Sequence, residues 1–265
     1  MSKAIYYYKV MFKSFKTEYI YKSQVFSKIL YCVLLYLIQM YIWKSVNLAS
    51  DNNIYNIEYM SGYVLISSVI SVFIAFDMNY IPIIESKVRS GSIGEELAKP
   101  VGFLLYIFCE YLGKCLFKLL FNAIPLCFLL LTCGIKTRFF LKNIVSFIIS
   151  LLFAIFIFFL LNAICGMLSF WLVAIGNLHI IIDSCITLFS GSMIPLWLIP
   201  DKLQFLFKLL PFKYLFFYPI SIMLGLVEKN QIYEIYLGQL LWIAVLLIGA
   251  CITYSFGIKK LQILG

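Results

Sequence analysis

Long apolar runs separated by short polar segments limit what this chain can fold into. Of its 265 residues, 63% are hydrophobic and 12% are charged. A helix needs roughly 20 apolar residues to cross a hydrocarbon core about 30 Å thick. The runs predict helices, because backbone groups in lipid must bond internally and the sequence lacks the alternating pattern of a membrane barrel. We therefore predict an all-α integral membrane protein with a single transmembrane domain over residues 1–265.

Six apolar runs predict six transmembrane helices. They cover about Ile29–Trp43, Tyr59–Ile81, Val101–Cys133, Ser146–Ile175, Leu178–Leu198 and Ile235–Ile258. The third run is too long for one perpendicular crossing, and near its start Glu110, Lys114 and Lys118 recur every four residues on one helix face. We expect this run to begin as an interfacial helix and to kink at Pro125, because proline removes a helical hydrogen bond.

Basic residues predict the orientation of the chain. Six lysines precede the first run, opposed only by Glu18: Lys3, Lys9, Lys13, Lys16, Lys22 and Lys28. The positive-inside rule places this terminus in the cytoplasm, and six crossings return Lys259 and Lys260 to the same side. The basic loop at 136–142 then falls outside, against the rule, although the predicted inside segments still hold more basic residues.

Residues 1–28 predict an amphipathic helix in the cytoplasmic membrane interface. An apolar stripe recurs at intervals of three and four residues, formed by Ile5, Tyr8, Phe12, Phe15 and Tyr19. Such a stripe beside lysines is typical of interfacial helices, whereas the alternative is a solvated basic arm. The net charge of +9 would suggest nucleic acid in a soluble protein. Here we expect the lipid bilayer as the partner and no nucleic acid.

The most polar continuous stretch is Ser86–Pro100, SKVRSGSIGEELAKP, between the second and third runs. Ser92 and Glu95 have the S-x-x-E spacing of a capping box at a helix start. Pro100 disfavours helical geometry in the residue before it. The pattern predicts a helix of less than two turns, too short to be stable alone in water.

A protein partner in the cytoplasm is the support that we predict for this short helix. Ile93 and Leu97, four residues apart, offer it a small apolar face. The alternative is a loop resting on lipid head groups. Glu85, Glu95 and Glu96 disfavour that alternative, because an anionic leaflet repels carboxylates.

Residues 199–233 are apolar but interrupted by Pro200, Pro211 and Pro219. Proline breaks helices, so this part of the chain predicts short outer helices, lying on the surface or re-entrant, between the fifth and sixth spans.

Two ionisable residues near the start of the fifth run are spaced to share one helix face. They are His179 and Asp183. Ionisable groups within the membrane are costly, so their default interpretation is functional. The pair could line a substrate path or relay protons, and the alternative is a structural pair facing another helix.

The order of these segments resembles that of the ABC-2-type permeases, the membrane subunits of ATP-binding-cassette exporters. The match lies in ESKVRSGSIGEELAKP (85–100), in GSMIPLWLIP (191–200) and in LLPFKY (209–214). The resemblance implies six spans, an N-terminal interfacial helix, a cytoplasmic coupling helix within 83–100 and outer helices before the last span.

The resemblance also implies partners and a function. The permease would dimerise with a second copy or a similar permease, and a separate cytosolic ABC ATPase dimer would hold ATP and magnesium. The implied ATPase-coupling residues are Glu85, Arg89, Gly91, Ser92, Ile93, Glu95, Glu96, Leu97 and Pro100. Its substrate would be hydrophobic or amphiphilic, such as a peptide antibiotic, a drug, a lipid or a lipid-linked glycan.

The chain itself is not expected to hydrolyse ATP or to hold a cofactor. It contains no GxxxxGK[ST] phosphate-binding loop, and Gly113-Lys114-Cys115 lacks the preceding glycine and the hydroxyl. A proton-coupled secondary transporter using Asp183 and His179 is the alternative function, although its usual inverted repeats are not evident. A membrane-embedded enzyme is disfavoured, because no cluster of residues suits metal or acid-base chemistry. The Lys, Ile and Tyr usage suggests a bacterial source, hence the bacterial cytoplasmic membrane.

Overall fold

The computed structural model describes residues 3–20, 23–49, 57–74, 80–97, 102–132, 143–172, 175–200, 202, 207 and 209–264. Every regular element in these ranges is helical. In chain order the helices are α1 (Lys3–Ile20), α2 (Ser23–Ala49), α3 (Ile57–Ser71), α4 (Ile81–Arg89), α5 (Ile93–Leu97), α6 (Phe103–Lys118), α7 (Ile124–Thr132), α8 (Ile144–Met167), α9 (Ser169–Leu172), α10 (Leu178–Phe189), α11 (Phe217–Met223) and α12 (Lys229–Leu264). A π-helical segment at Leu119–Ala123 joins α6 to α7, and short 3-10 turns lie at Leu196–Leu198 and Pro211–Tyr214.

Three helices in the described part of the chain are long and apolar enough to cross a membrane. They are Val25–Val46, Ile144–Leu172 and Lys229–Lys260. The second and fifth predicted spans are shorter than expected, because α3 has 15 residues and α10 has 12. At 1.5 Å per residue neither helix alone reaches across a core about 30 Å thick. The predicted continuous helices over Tyr59–Ile81 and Leu178–Leu198 are therefore wrong in their extent.

Helix α8 forms the centre of the molecule. It is almost wholly apolar over 24 residues, as expected of a helix buried among others. It packs against α4, α11 and α12, and its aromatic side chains meet those of α6. Phe159 is 2% exposed, and its ring centroid lies 5.0 Å from that of Phe108 and 5.4 Å from that of Tyr111.

A buried amide joins α8 to α12. Gln239 is fully buried, and its Nε2 donates to the carbonyl oxygens of Ser150 at 3.0 Å and Tyr214 at 3.2 Å. The Ser150 hydroxyl donates in turn to Gln239 Oε1 at 3.2 Å. Such side-chain hydrogen bonds stabilise helix packing in membrane proteins. Apolar contacts alone drive that packing weakly, because lipid tails are as apolar as the side chains of a neighbouring helix.

Helix α1 packs along α6, and the two helices run parallel. Gly102 N donates to the Tyr7 hydroxyl at 3.1 Å, and Phe15 meets Phe117 further along. Gly113 lies against the α1 backbone, where a Cβ would stand 2.2 Å from the carbonyl oxygen of Met11. A side chain at this position is therefore incompatible with the observed contact.

The opposite side of α1 carries most of the predicted apolar stripe. Ile5, Tyr8, Phe12 and Tyr19 are each exposed, whereas Ser14 on the other side is buried against α6. The exposed stripe fits an interfacial helix. The contact with α6 was not predicted from the sequence.

The break in the third predicted span is a change of helix type. Pro125 follows the π-helical segment, in which wider turns accommodate a residue that cannot donate to the preceding carbonyl. Lys118 immediately precedes this segment and is 2% exposed. It was expected on a charged surface stripe with Glu110 and Lys114, and the structure corrects that expectation.

The segment before the last long helix is largely buried. In α11, residues Pro219 to Met223 are buried, and the helix packs against α8 and α3. Phe217 N donates to Ser190 O at 3.1 Å, which ties α11 to the end of α10. The described part of 199–233 therefore packs against the rest of the protein. Its assignment as outer helices, lying on the surface or re-entrant, stays a prediction.

Candidate functional site

The predicted coupling segment forms a protruding turn between α4 and α6. Gly91 has a φ of +73°, a backbone conformation that favours glycine and that ends α4 and turns the chain into α5. Helix α5 has five residues, as predicted for a helix of less than two turns. Arg89, Gly91, Ser92 and Glu95 are all exposed on this turn.

The start of α5 differs from the predicted capping box. The Ser92 hydroxyl lies 2.8 Å from the Ser90 hydroxyl, and Glu95 N donates to the Ser92 carbonyl at 3.2 Å. Among the described residues these backbone and serine contacts replace the expected side-chain pair. The side chain of Glu96 and the whole of Pro100 lie outside the described part of the chain.

The apolar face of α5 packs into the protein itself. Ile93 is 4% exposed and belongs to the main hydrophobic core, and Leu97 packs against that core. This placement corrects the expectation that Ile93 inserts into a groove of a partner. The helix is held from within, and its polar side is the side that remains accessible.

A carboxylate connects the two helices that flank this turn. Glu110 on α6 lies 3.9 Å from Lys87 Nζ on α4 and 3.6 Å from Lys114 Nζ. The sequence spacing placed Glu110 and Lys114 on one helix face, whereas nothing in the sequence predicted the pair with Lys87. Lys114 Nζ also lies 4.7 Å from the ring centroid of Tyr80, just before α4. Displacing the turn would therefore pull on α4 and α6 together.

Glu85 is buried at 8% exposure on α4. It was predicted to contact an ATPase. Its burial instead places it inside the protein, behind the exposed turn. Sequence spacing could have placed it there, because Glu85 follows Ile81 by four residues and therefore shares its helix face.

A second candidate site is an interhelical cavity of about 430 Å³ between α2, α3, α6, α8 and α10. Its volume is within the range of small-molecule sites. Its polar wall consists of Lys28, Gln39, Ser67, Ser68, Ser71, Lys118, Asp183, Thr187 and Ser192. Its apolar wall includes Tyr31, Leu35, Val72, Ile74, Phe158, Ile186, Met193 and Phe216.

The cavity hydroxyls donate their protons to backbone carbonyls. Ser67 bonds to Ser192 O at 2.7 Å, and Ser68 bonds to Val64 O at 2.9 Å. Thr187 bonds to Asp183 O at 2.8 Å. The hydroxyl oxygens therefore retain lone pairs, so this part of the wall accepts hydrogen bonds from whatever occupies the cavity.

The predicted His179–Asp183 pair is divided between two environments. Asp183 is 7% exposed and lines the cavity, whereas His179 is half-buried and is not part of its lining. The Nδ1 of His179 hydrogen-bonds no residue that the structure describes. The structure therefore supports a cavity role for Asp183 alone.

Lys118 is the cavity residue that sequence reasoning missed. Periodicity grouped it with Glu110 and Lys114, yet those two keep side-chain exposures of 20% and 16%, respectively. No local pattern indicated this burial, because Lys118 lies in regular α-helix and its neighbours in the cavity come from other helices. The residues that the structure describes include no group of acidic, His and Cys side chains suited to a metal ion.

Similarity to known proteins identifies the family of the chain. No curated protein gives a significant match to the chain. A protein-family model described as ABC-2 family transporter protein matches residues 29–265, which include every helix from α3 to α12, the coupling turn and most of the cavity wall. The chain therefore belongs to the ABC-2 family of membrane transporter proteins.

Proposed function

We propose that this protein is the permease subunit of an ABC exporter, driven through α5 by a separate cytosolic ATPase. The observation that carries the proposal is the exposed polar turn from Arg89 to Glu95, anchored from within by Ile93. A rigid protrusion of this kind can transmit a push, because its base is packed and its tip is accessible. Family membership supports the association with an ABC ATPase.

The proposed complex is a dimer of permeases on an ATPase dimer in the bacterial cytoplasmic membrane. Both termini lie in the cytoplasm, α1 lies in the interface through its exposed stripe, and α11 re-enters the bilayer. Six crossings include the short helices α3 and α10. ATP and magnesium bind the partner ATPase.

The proposed substrate path passes through the interhelical cavity. Its wall combines an apolar surface with charged groups, which suits a hydrophobic or amphiphilic substrate. Of the two predicted path residues, His179 and Asp183, only Asp183 is in the described lining of the cavity.

Charge reversal on the exposed turn tests the coupling role. We expect Arg89→Glu combined with Glu95→Lys to weaken binding to the partner ATPase by at least about tenfold, because like charges then oppose each other at the contact. Affinity is measured with both purified proteins in detergent.

The matched control is Glu228→Lys combined with Lys229→Glu, which reverses two exposed charges at the start of α12. This variant should bind the ATPase as the wild type does. Equal affinity in both double variants would contradict the assignment of the turn as the ATPase contact.

A further inference from the structure

Two lysines lie at the same end of the interhelical cavity. Lys28 is in the second turn of α2, and Lys118 immediately precedes the π-helical segment that contacts α2. Tyr19, close to the start of α2, packs on Phe121 in that segment, with ring centroids 6.0 Å apart. The contact brings Lys118 towards the beginning of α2, and we name this region the lysine end of the cavity.

The opposite end of the cavity carries no described lysine or arginine in its lining. Gln39 lies eleven residues after Lys28 on α2, a rise of about 16 Å. Ser67 and Ser192, which are bonded to each other, lie where α3 meets the end of α10. The cavity is thus polarised along its length, with ammonium groups concentrated at one end.

The charge of the described lining favours an anion. Lys28 and Lys118 contribute two positive charges and Asp183 one negative charge, so the lining carries a formal charge of +1. Lys118 is 2% exposed, and an ammonium group removed from bulk water attracts an anion more strongly than one at the surface.

The rest of the lining suits an apolar chain. Tyr31 and Leu35 lie on α2 between the lysine end and Gln39, and Phe158 and Ile186 are further apolar members of the wall. A ligand that filled this volume would place its apolar part beside these residues and its charged group beside the lysines.

We propose that the interhelical cavity binds an amphiphile with an anionic head group, a phosphate or a carboxylate, at Lys28 and Lys118. The inference rests on the proposed function, since it names the substrate class of the proposed path. Donor groups on the head, such as hydroxyls, would bond to the serine and threonine oxygens and to Asp183.

Direct binding tests this substrate class without the ATPase. The full-length protein is placed in nanodiscs of phosphatidylcholine, and radiolabelled dodecyl phosphate is titrated against matched empty discs. We expect Lys118→Gln to weaken binding by at least about tenfold, because hydrogen bonds to ionised groups are among the strong ones. Lys118→Arg should stay within about threefold of the wild type, because it keeps the positive charge.

Three controls keep the test decisive. Lys28→Gln, at a half-buried position, should reproduce the loss of binding, and it serves as the test if Lys118→Gln disturbs folding. Lys229→Gln, at an exposed position, should leave binding unchanged. Dodecyltrimethylammonium, with the opposite head charge, should bind at least about tenfold more weakly than dodecyl phosphate. Equal binding of the two amphiphiles, or wild-type binding in both lysine variants, would overturn the proposal.

Competition identifies the source of the head group. Displacement by phosphatidylglycerol added to the disc would assign a membrane lipid, and no displacement would assign a single-chain amphiphile. Displacement by inorganic phosphate alone would overturn the amphiphile class. If the wild-type protein bound dodecyl phosphate but did not associate with an ATPase, the exporter function would be contradicted and the anion site would remain. A failure of the proposed function can therefore be distinguished from a failure of the site.

Discussion

Ile93→Asp should release α5 from the protein and expose the coupling turn to proteolysis. The substitution removes a side chain that is 4% exposed in the core and puts a carboxylate in its place. Loss of a buried aliphatic side chain costs about 2–5 kcal/mol, and burial of a charge adds to it. The loss of stability caused by the substitution cannot exceed the free energy needed to detach this five-residue helix from the core. We expect cleavage by a glutamyl endopeptidase at Glu95 to accelerate by at least about tenfold.

Ile93→Val is the matched control, since it removes one methylene group and costs about 0.5–1.5 kcal/mol. Its cleavage rate should stay close to that of the wild type. ATPase association should fall in Ile93→Asp as a consequence of the detachment. If association fell while the cleavage rate stayed unchanged, Ile93 would contact the partner directly, and its assignment as an internal anchor would be wrong.

Gly113→Ala should separate α1 from α6. The added Cβ would stand 2.2 Å from the Met11 carbonyl oxygen and 2.9 Å from Ser14 Cβ, so the α1 backbone itself must move. Overpacking typically costs about 1–3 kcal/mol, and a backbone obstacle places this site at the upper end. Hydrogen exchange in α1 and in the facing part of α6 should accelerate by about tenfold or more, as detachment becomes easier.

Gly94→Ala on α5 provides the control for this prediction. No heavy atom lies within 4 Å of a Cβ built at Gly94, so the same chemical change meets open space. Exchange in α1 should be unchanged in this variant, and α5 should gain helix propensity. Wild-type exchange of α1 in Gly113→Ala would contradict the close α1–α6 contact.

The sequence predicted helical structure and the position of the short helix α5 because both depend on local pattern. Apolar length predicted the three long helices, and the Ser92–Glu95 spacing together with Pro100 marked the position of α5 within one turn. The family resemblance was confirmed by the match over residues 29–265.

Side-chain direction was harder to predict because it depends on what surrounds each helix. Ile93 on a five-residue helix can face the protein or a partner with the same sequence spacing, and only the packed structure decides. Lys118 lies in the same regular helix as Glu110 and Lys114, but it is buried because other helices surround that end of α6. The cavity itself unites residues from five helices, a placement that no local pattern contains.

We propose the turn between α4 and α5 as the contact with a cytosolic ATPase. Its most direct test is a photo-crosslinking amino acid at position 95 in living cells, compared with position 152, an exposed apolar position on α8. We expect an adduct from position 95 with a protein that carries a Walker A loop, and no such adduct from position 152. An ATPase that co-purifies with the permease but gives no adduct from position 95 would contradict the claim.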